Sequence, residues 1–325
     1  MNRLDINCIR DAAIKLKETD PKMAFELCAI ALKYRPKGKY IRQLYDELRL
    51  SLGIKKFVII GNCQSGVIEK ILKEKSDRFK VDLVIRAHKY KSHDPKVYDV
   101  MEDADYIITQ NISEKIHGIG TNTISDKFPG KVVKILNLFF TGYHPDWCYI
   151  PRVKGVRCQS PIGDYHNRTV LDSYINGDDE EETIRKYRDY EYNSKKYIGV
   201  AEDSLIELKN RERHVDVKMT DIIEKDFLKG KCRFYTFNHP YSDLLEIQVN
   251  RILELLGLSF KSVDLKDGAL DGTIMRVNPC VSSFKNETHI IYNGEVVDIK
   301  EFVKKSFELY EQNHFHIEAY KARFT

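Results

Sequence analysis

From Lys55 onward, short apolar runs alternate with helical patterns, and this alternation constrains the fold more than any other feature of the sequence. The first run, residues 57–60, ends in Gly61, and apolar residues then recur at helical spacing over 67–72, which is typical of a buried strand followed by a helix. Further strands are predicted at 81–85, 106–109, 132–138 and 233–237. The sequence therefore predicts an α/β fold with an open, mostly parallel sheet flanked by helices on both faces. Ligands bind such sheets at the carboxyl ends of the strands.

The chain has 325 residues, enough for about two domains. We predict a helical hairpin over 1–52, an α/β domain over 53–260 with a helical insertion over about 164–230, and a C-terminal extension over 261–325. The extension is predicted to hold a β-hairpin, because Asn293-Gly294 is a strong turn signal between apolar runs. A last helix is expected over about 299–320.

The first 52 residues are predicted to be helical, with small residues and a proline at the spacings of a tetratricopeptide unit. These residues are Ala12, Ala24, Ala31 and Pro36. An ordinary helical hairpin is the plainer interpretation. A single unit of this kind does not bury its own apolar face, so we expect it to pack on the main domain or on a biosynthetic protein partner.

Composition excludes several classes of function. The charge sum of +4, from 53 basic and 49 acidic residues, is too small for a dedicated nucleic-acid binder. No apolar stretch is long enough for an integral membrane segment, and the N-terminus lacks the apolar run of a signal peptide. We therefore expect a cytoplasmic protein, at most peripheral to the inner face of the membrane. Seven cysteines without a C-x-x-C pair argue against a disulfide framework or a zinc site, and we expect no metal.

The turn after the first strand carries the sharpest chemical signal, Gly61-Asn62-Cys63-Gln64-Ser65. A thiol placed there faces the N-terminus of the following helix, which is expected to lower its pKa. The same N–H groups could stabilise an oxyanion formed by attack on a carbonyl. Cys63 is therefore a candidate nucleophile, while a small buried cysteine is the alternative interpretation. Ser65 is a less well placed nucleophile.

Other strand ends supply the partners that such a nucleophile needs. Gln110 and Asn111 follow the third strand and offer amide donors. His239 follows the last predicted strand, and Pro240 favours an extended turn that holds it at the sheet edge. Cysteine with histidine is a workable nucleophile and base pair. His144 and His166 are rival bases, and each of the three histidines has a purely structural role as its alternative.

Four short motifs in the order found here resemble those of the WcbI family of polysaccharide-biosynthesis acetyltransferases. They are Gly61-Asn62-Cys63-Gln64, the segments at 142–146 and 163–166, and Asn238-His239-Pro240. The resemblance covers about 55–257 and leaves the terminal segments outside. It implies a capsule or surface-polysaccharide O-acyltransferase that binds coenzyme A.

The layout also resembles, more distantly, that of SGNH-type hydrolases. The expected fold is therefore a three-layer arrangement of SGNH or flavodoxin type, in which the sheet lies between two layers of helices. By that resemblance Cys63 is the nucleophile, Asn111 or Gln110 the oxyanion amide, and His239 the base. Two departures are visible, since Cys63 replaces serine and Thr236 stands where an aspartate would complete a triad. A dyad oriented by a backbone carbonyl, by Asp146 or by Asp164 is the alternative.

The reaction that the resemblance implies is acetyl transfer from acetyl-CoA to a hydroxyl of a polysaccharide or sugar-nucleotide acceptor. Transfer would run through an acetylated Cys63 or directly, with a histidine that activates the hydroxyl. The residues expected to touch the oxyanion or the acceptor are Asn62, Gln64, Gln110, Asn111, Asp146, Asp164, His166 and Asn238. A hydrolase with the same residues and a non-catalytic scaffold that binds coenzyme A are the rival functions.

Two basic clusters are candidates for the phosphates of coenzyme A, together with Ser65. One is Arg86, His88, Lys89 and Lys91, after the second strand; the other is Arg152, Lys154 and Arg157, after the fourth. Arginine suits phosphate because of its fork of donors. We favour the second cluster slightly because it adjoins the His144 segment, although either could be a solvated loop.

Overall fold

The computed structural model describes residues 3–90, 94–265, 268–281 and 289–324. Its backbone contacts divide the chain into two compact units. The first unit consists of Met1–Val133 with Leu258–Val263, and the second of Lys134–Gly257 with Asp264–Thr325. None of the described helices is long and apolar enough to cross a membrane.

The first unit begins with three helices, α1 (Arg3–Leu16), α2 (Pro21–Tyr34) and α3 (Lys39–Ser51). Asp20 caps α2 by accepting from the N–H of Met23 at 2.9 Å, and Pro21 occupies the first helical position. Both residues favour the start of a helix. The Asp20 carboxylate pairs with an N–H group that has no partner within the helix, and Pro21 has no N–H group to leave unpaired. Ala24 and Ala31 are fully buried between the helices, in a core that includes Phe25 stacked on Tyr45.

The sheet of the first unit is parallel and follows these helices, which confirms the predicted α/β class. Its elements are β1 (Lys55–Gly61), α4 (Ser65–Lys75), β2 (Phe79–Arg86), α5 (Pro95–Asp103), β3 (Tyr106–Gln110), α6 (Thr121–Lys127) and β4 (Val132–Ile135), and the strand order is β2-β1-β3-β4. β1 is central and almost wholly buried, as expected for a continuous apolar run. Its last residue, Gly61, lies opposite Arg86 of β2. The carboxyl ends of β1 and β2 therefore lie side by side.

The second unit is mainly helical, with short antiparallel strand pairs. Its elements are β5 (Trp147–Cys148), β6 (His166–Asn167), α7 (Arg168–Asn176), α8 (Glu180–Arg188), α9 (Tyr190–Tyr197), α10 (Val200–Glu212), α11 (Thr220–Leu228), β7 (Phe234–Thr236), β8 (His239–Pro240), α12 (Ser242–Leu255), β9 (Thr273–Ile274), β10 (Ile290–Tyr292), β11 (Glu295–Val297), α13 (Ile299–Gln312) and α14 (His314–Phe324). Trp147, Phe302 and Tyr310 are fully buried in its core.

The strand predicted at 233–237 does not join the parallel sheet, so this part of the prediction is wrong. β7 instead pairs with β8 in antiparallel fashion, with Thr236 opposite His239. The chain reverses immediately after Thr236, because only Phe237 and Asn238 separate the paired residues. His239 therefore lies on the return strand of a tight hairpin and not at the carboxyl end of a parallel strand.

The C-terminal hairpin is present, with Asn293 and Gly294 both at positive φ between β10 and β11, which is the backbone conformation that an Asn-Gly turn supplies. The helix expected over about 299–320 is divided at Asn313. The side chain of Asn313 donates to the carbonyl of Leu309 at 2.8 Å, and its backbone leaves the helical region. This contact ends α13 before α14 begins.

Candidate functional site

Cys63 lies in the turn between β1 and α4, and side-chain amides hold that turn in place. The Oε1 atom of Gln110 accepts from the N–H of Asn62 at 2.9 Å, and its Nε2 atom donates to Gln64 Oε1 at 3.0 Å. The N–H of Gln64 donates in turn to Asn62 Oδ1 at 2.9 Å. Gln110 and Gln64 are buried while Cys63 is only partly so. A buried amide network thus presents a partly exposed thiol at the carboxyl end of the central strand.

Gly61 is required at the end of β1 because Gln110 packs directly against it. A Cβ atom there would lie 2.8 Å from Gln110 Oε1 and 3.0 Å from its Cδ atom. These distances leave no room for a methyl group unless Gln110 moves and gives up its bonds to the turn.

We therefore expect Gly61→Ala to lower the free energy of unfolding by about 1–3 kcal/mol, from overpacking and a lost buried hydrogen bond. Urea titration would measure the change. Gly66→Ala is the matched control, since its Cβ would meet only the mobile end of the exposed Arg86 side chain at 3.3 Å. Alanine also favours the helix there. Equal stability of Gly61→Ala and wild type would contradict this packing argument.

The pKa of Cys63 is shifted in the opposite direction from the sequence-based expectation. Burial raises the pKa of this thiol above its usual 9.0, and this effect exceeds the opposing ones. The N–H groups of Cys63 and Gln64 and the positive charge of Arg86 lower the pKa by smaller amounts. Cys63 is therefore mainly a thiol at neutral pH and needs a base to become a nucleophile.

Arg86 is the basic residue that the structure brings to Cys63. It ends β2 opposite Gly61, and its exposed guanidinium group reaches the start of α4. Lys89 is exposed in the short turn that follows β2, at Ala87–Lys89, as is His88. Lys91, from the same predicted cluster, lies outside the described residues. The end of β2 thus offers positive charge beside the thiol.

Removing the charge of Arg86 should make the Cys63 thiol less acidic. We expect Arg86→Gln to shift the pH profile of Cys63 alkylation by iodoacetamide to higher pH, because Arg86 lowers the pKa of this thiol. Peptide mass spectrometry after timed alkylation would give the rates. Lys89→Gln is the control, since Lys89 is not among the groups that perturb Cys63. An unshifted profile in Arg86→Gln would show that the guanidinium group does not act on the sulfur.

The remaining candidates near this turn have different roles from one another. The Ser65 hydroxyl is buried and donates to the carbonyl of Asn62, so it braces the turn. Gln110 uses its amide to position Asn62 and Gln64. Asn111 is exposed just beyond β3. Of the two predicted oxyanion amides, Asn111 is the one that solvent reaches.

In the second unit, His239 is half-buried and lies beside a tyrosine that the sequence analysis did not single out. The hydroxyl of Tyr165 is 3.4 Å from His239 Nε2 and donates to Asn238 Oδ1 at 3.0 Å. Thr236 donates to the same Asn238 oxygen at 2.9 Å. Burial lowers the pKa of His239 below its usual 6.5, so the ring is neutral at pH 7 and can accept a proton. The only sequence signal for Tyr165 was its place in the 163–166 motif.

Three other predicted site residues lie in the interior of the second unit. His144 is fully buried, and burial lowers its pKa to about 3. His166 is also buried, with its ring nitrogens 3.2 Å from the hydroxyl of Tyr310 and 3.2 Å from the carbonyl of Cys158. Asp146 is buried and accepts from Asn167 Nδ2 at 2.7 Å. The contacts of His166 and Asp146 place both side chains in the packing around β5 and β6.

The second basic cluster lies around a surface pocket of about 210 Å³. The pocket is lined by Tyr149, Ile150, Arg152, Arg157, Cys158 and Asp164, and we call it the Tyr149 pocket. Arg157 pairs with Asp164, which also accepts from Gln159 Nε2 at 2.6 Å. Lys154 does not line the pocket but forms a tight turn with Gly155, both at positive φ.

The structure groups the predicted site residues by unit. Cys63, Arg86, Gln110 and Asn111 belong to the first unit, whereas His239 and the Tyr149 pocket belong to the second. The pairing of Cys63 with His239 stays a prediction. Among the described residues, no group of three or more His, Cys, Asp or Glu side chains is arranged to hold a metal ion.

Comparison with known proteins identifies a family and a fold. A sequence model of the family described as the polysaccharide biosynthesis enzyme WcbI matches residues 56–261, more than half of the chain. A search of curated protein sequences finds no match. A solved structure described as WcbI, a novel polysaccharide biosynthesis enzyme, in a form without a disulfide bond between coenzyme A and a cysteine, has the same fold. It is 20% identical, with a TM-score of 0.72 over 83% of this chain and 94% of that one.

Proposed function

Because the chain belongs to the WcbI family of polysaccharide biosynthesis enzymes, we propose that it transfers an acetyl group from acetyl-CoA to a hydroxyl group of a sugar. The observation that carries the proposal is the partly exposed Cys63 thiol, held by buried amides beside the N–H groups that begin α4. The description of the similar structure, which mentions coenzyme A and a cysteine, supports the choice of co-substrate.

The first half of the proposed reaction acetylates Cys63. His239, neutral at pH 7, takes the thiol proton, and Cys63 Sγ attacks the carbonyl carbon of acetyl-CoA. The new bond joins Sγ to that carbon, while the bond from the carbon to the coenzyme sulfur breaks. The departing coenzyme thiolate takes the proton back from His239. Because one thioester replaces another, the acetylated Cys63 is close in free energy to acetyl-CoA and does not trap the acetyl group.

The second half passes the acetyl group to the acceptor. His239 takes the proton of the sugar hydroxyl as its oxygen attacks the thioester carbonyl, and the bond from that carbon to Cys63 Sγ breaks. The thiolate leaves with the electron pair and receives the proton from His239. The N–H group of Cys63 and the side-chain amide of Asn111 are the proposed donors to the oxyanion in both halves. In the direct alternative, His239 activates the hydroxyl and Cys63 only shapes the site.

Arg86 and Lys89 fit the phosphate groups of coenzyme A. Both are exposed after β2, in the same unit as the turn that holds the reacting thiol. A guanidinium group donates to a phosphate through two parallel N–H bonds. We therefore propose this cluster, rather than the one around Arg157, as the phosphate site. The reaction is proposed to take place in the cytoplasm.

Intact-protein mass spectrometry tests the proposal directly. After incubation with acetyl-CoA alone, we expect a mass increase of one acetyl group, mapped to Cys63 by peptide analysis. Addition of an acceptor should discharge it, with acetate found on the sugar rather than free in solution. Release of free acetate at the same rate with or without acceptor would identify a hydrolase. Absence of both the adduct and any thermal shift with coenzyme A would refute the proposal.

A further inference from the structure

We propose that the Tyr149 pocket binds the acceptor, as a sugar that carries an anionic group. This inference rests on the proposed function, since it names the substrate class of that reaction. The sugar ring stacks on Tyr149, its hydroxyls donate to Asp164, and its anionic group is bound by Arg152. The pocket lies wholly within the second unit.

The aromatic wall of the pocket is rigid and partly open to solvent. Tyr149 is 39% exposed, although its ring stacks on Tyr165 at 5.4 Å and meets the edge of Phe237 at 5.0 Å. Packing on two rings fixes the side chain, and the Arg157 guanidinium group lies over the ring at 5.9 Å from its centre, so a ligand meets the part of Tyr149 that stays exposed. The C–H face of a pyranose is flat and apolar, so a fixed aromatic ring binds it with little loss of side-chain freedom.

The charges of the pocket favour a sugar over the phosphates of coenzyme A. Asp164 neutralises Arg157 by a direct ion pair, and its carboxylate lines the pocket. A carboxylate accepts hydrogen bonds from the hydroxyl groups of a sugar, whereas the phosphate groups of coenzyme A offer no such donors at neutral pH. Arg152 is exposed and forms no ion pair or hydrogen bond with the described part of the chain. The pocket therefore offers the carboxylate of Asp164, which accepts hydrogen bonds from hydroxyl groups, and the positive charge of Arg152, which is not paired with a carboxylate.

The pocket is connected to the proposed base through two tyrosine rings. Tyr165 separates Tyr149 from His239, with its ring 5.4 Å from the first and 6.1 Å from the second. The hydroxyl of Tyr165 contacts His239 Nε2. The aromatic wall of the pocket and His239 therefore contact the same buried ring, that of Tyr165.

Titration calorimetry of the full chain with three probes tests the pocket. Methyl glucuronide carries a carboxylate, glucose 1-phosphate a phosphate, and methyl glucoside no charge. We expect one or both charged sugars to bind at least about tenfold more tightly than the neutral one, because a charge-assisted hydrogen bond to Arg152 is added. Arg152→Gln should remove that difference, and Tyr149→Leu should weaken all measurable binding by about threefold to tenfold. The preferred charged probe distinguishes a uronic acid from a sugar phosphate.

Two exposed residues outside the pocket serve as controls, and binding of coenzyme A is measured in every variant. Arg213→Gln and Tyr40→Leu should leave sugar binding unchanged. If neither charged sugar binds wild type, or Arg152→Gln leaves their advantage intact, the inference is wrong. If Arg152→Gln weakens coenzyme A instead, the pocket is the phosphate site. Loss of Cys63 acetylation with sugar binding intact would refute the proposed function alone.

Discussion

Replacement of Cys63 by alanine should abolish the acetylated enzyme and reduce the rate of acetyl transfer by at least about 10³-fold. The reason is that the thiol is the only protein group in the proposed mechanism that bonds to the carbonyl carbon of the acetyl group. The backbone N–H donors and the positive charge of Arg86 stay in place in this variant, so coenzyme A should still bind. The expected signature is therefore a loss of kcat with little change in the affinity for the coenzyme.

Single-turnover assays with labelled acetyl-CoA would separate the two quantities, and thermal unfolding would show that the variant is folded. Cys8→Ser is the matched control, because Cys8 is an exposed cysteine of the same unit and should have no effect. Transfer at close to the wild-type rate in Cys63→Ala would eliminate the covalent path and leave the direct one. The proposed activity would survive that result, but the role assigned to the sulfur would not.

The sequence predicted the elements around Cys63 well because their signals are local. The apolar run of β1, the small residue that ends it and the helical spacing of α4 all lie within about twenty residues, so pattern and propensity agree there. The role of Gln110 was not predictable in the same way. It is far from Asn62 and Gln64 in the sequence, and only the pairing of β1 with β3 brings its amide to the turn. Gln110, one of the two expected oxyanion donors, is therefore a residue that positions the turn.

Burial accounts for the raised pKa of Cys63 and for the positions of two of the predicted histidines. The helix start does lower the pKa of Cys63, but desolvation acts in the opposite direction and is larger. Motif order could not reveal that His144 and His166 are packed inside the second unit. The desolvation of Cys63 and the burial of the two histidines depend on which surfaces are covered by residues distant in the sequence. Local sequence patterns do not show this. The hairpin of β7 and β8 was missed because only two residues form its turn and its strands are too short for a periodic signal.

Replacement of His239 by alanine should slow transfer to the sugar by about 10²–10⁴-fold, the usual contribution of a general base. The two halves of the reaction should respond differently to pH. A thiol ionises without help at alkaline pH, so acetylation of Cys63 should recover as pH rises above its raised pKa. A sugar hydroxyl is far less acidic, so discharge should remain slow throughout. The variant is thus expected to accumulate acetylated Cys63 at high pH, which intact-protein mass spectrometry would detect.

The pH profile of the wild-type enzyme provides the second arm of this experiment. Burial holds the pKa of His239 below 6.5, so the neutral, proton-accepting ring predominates above that pH and is lost as pH falls through the lowered pKa. Transfer should therefore decline only on the acid side of 6.5, and this limb should be absent from His239→Ala. His314→Gln, which changes an exposed histidine of the same unit, should retain it. An unchanged transfer rate in His239→Ala would exclude His239 as the base, and because His144 and His166 are buried, the proton would then have to pass to a group other than the three predicted histidines.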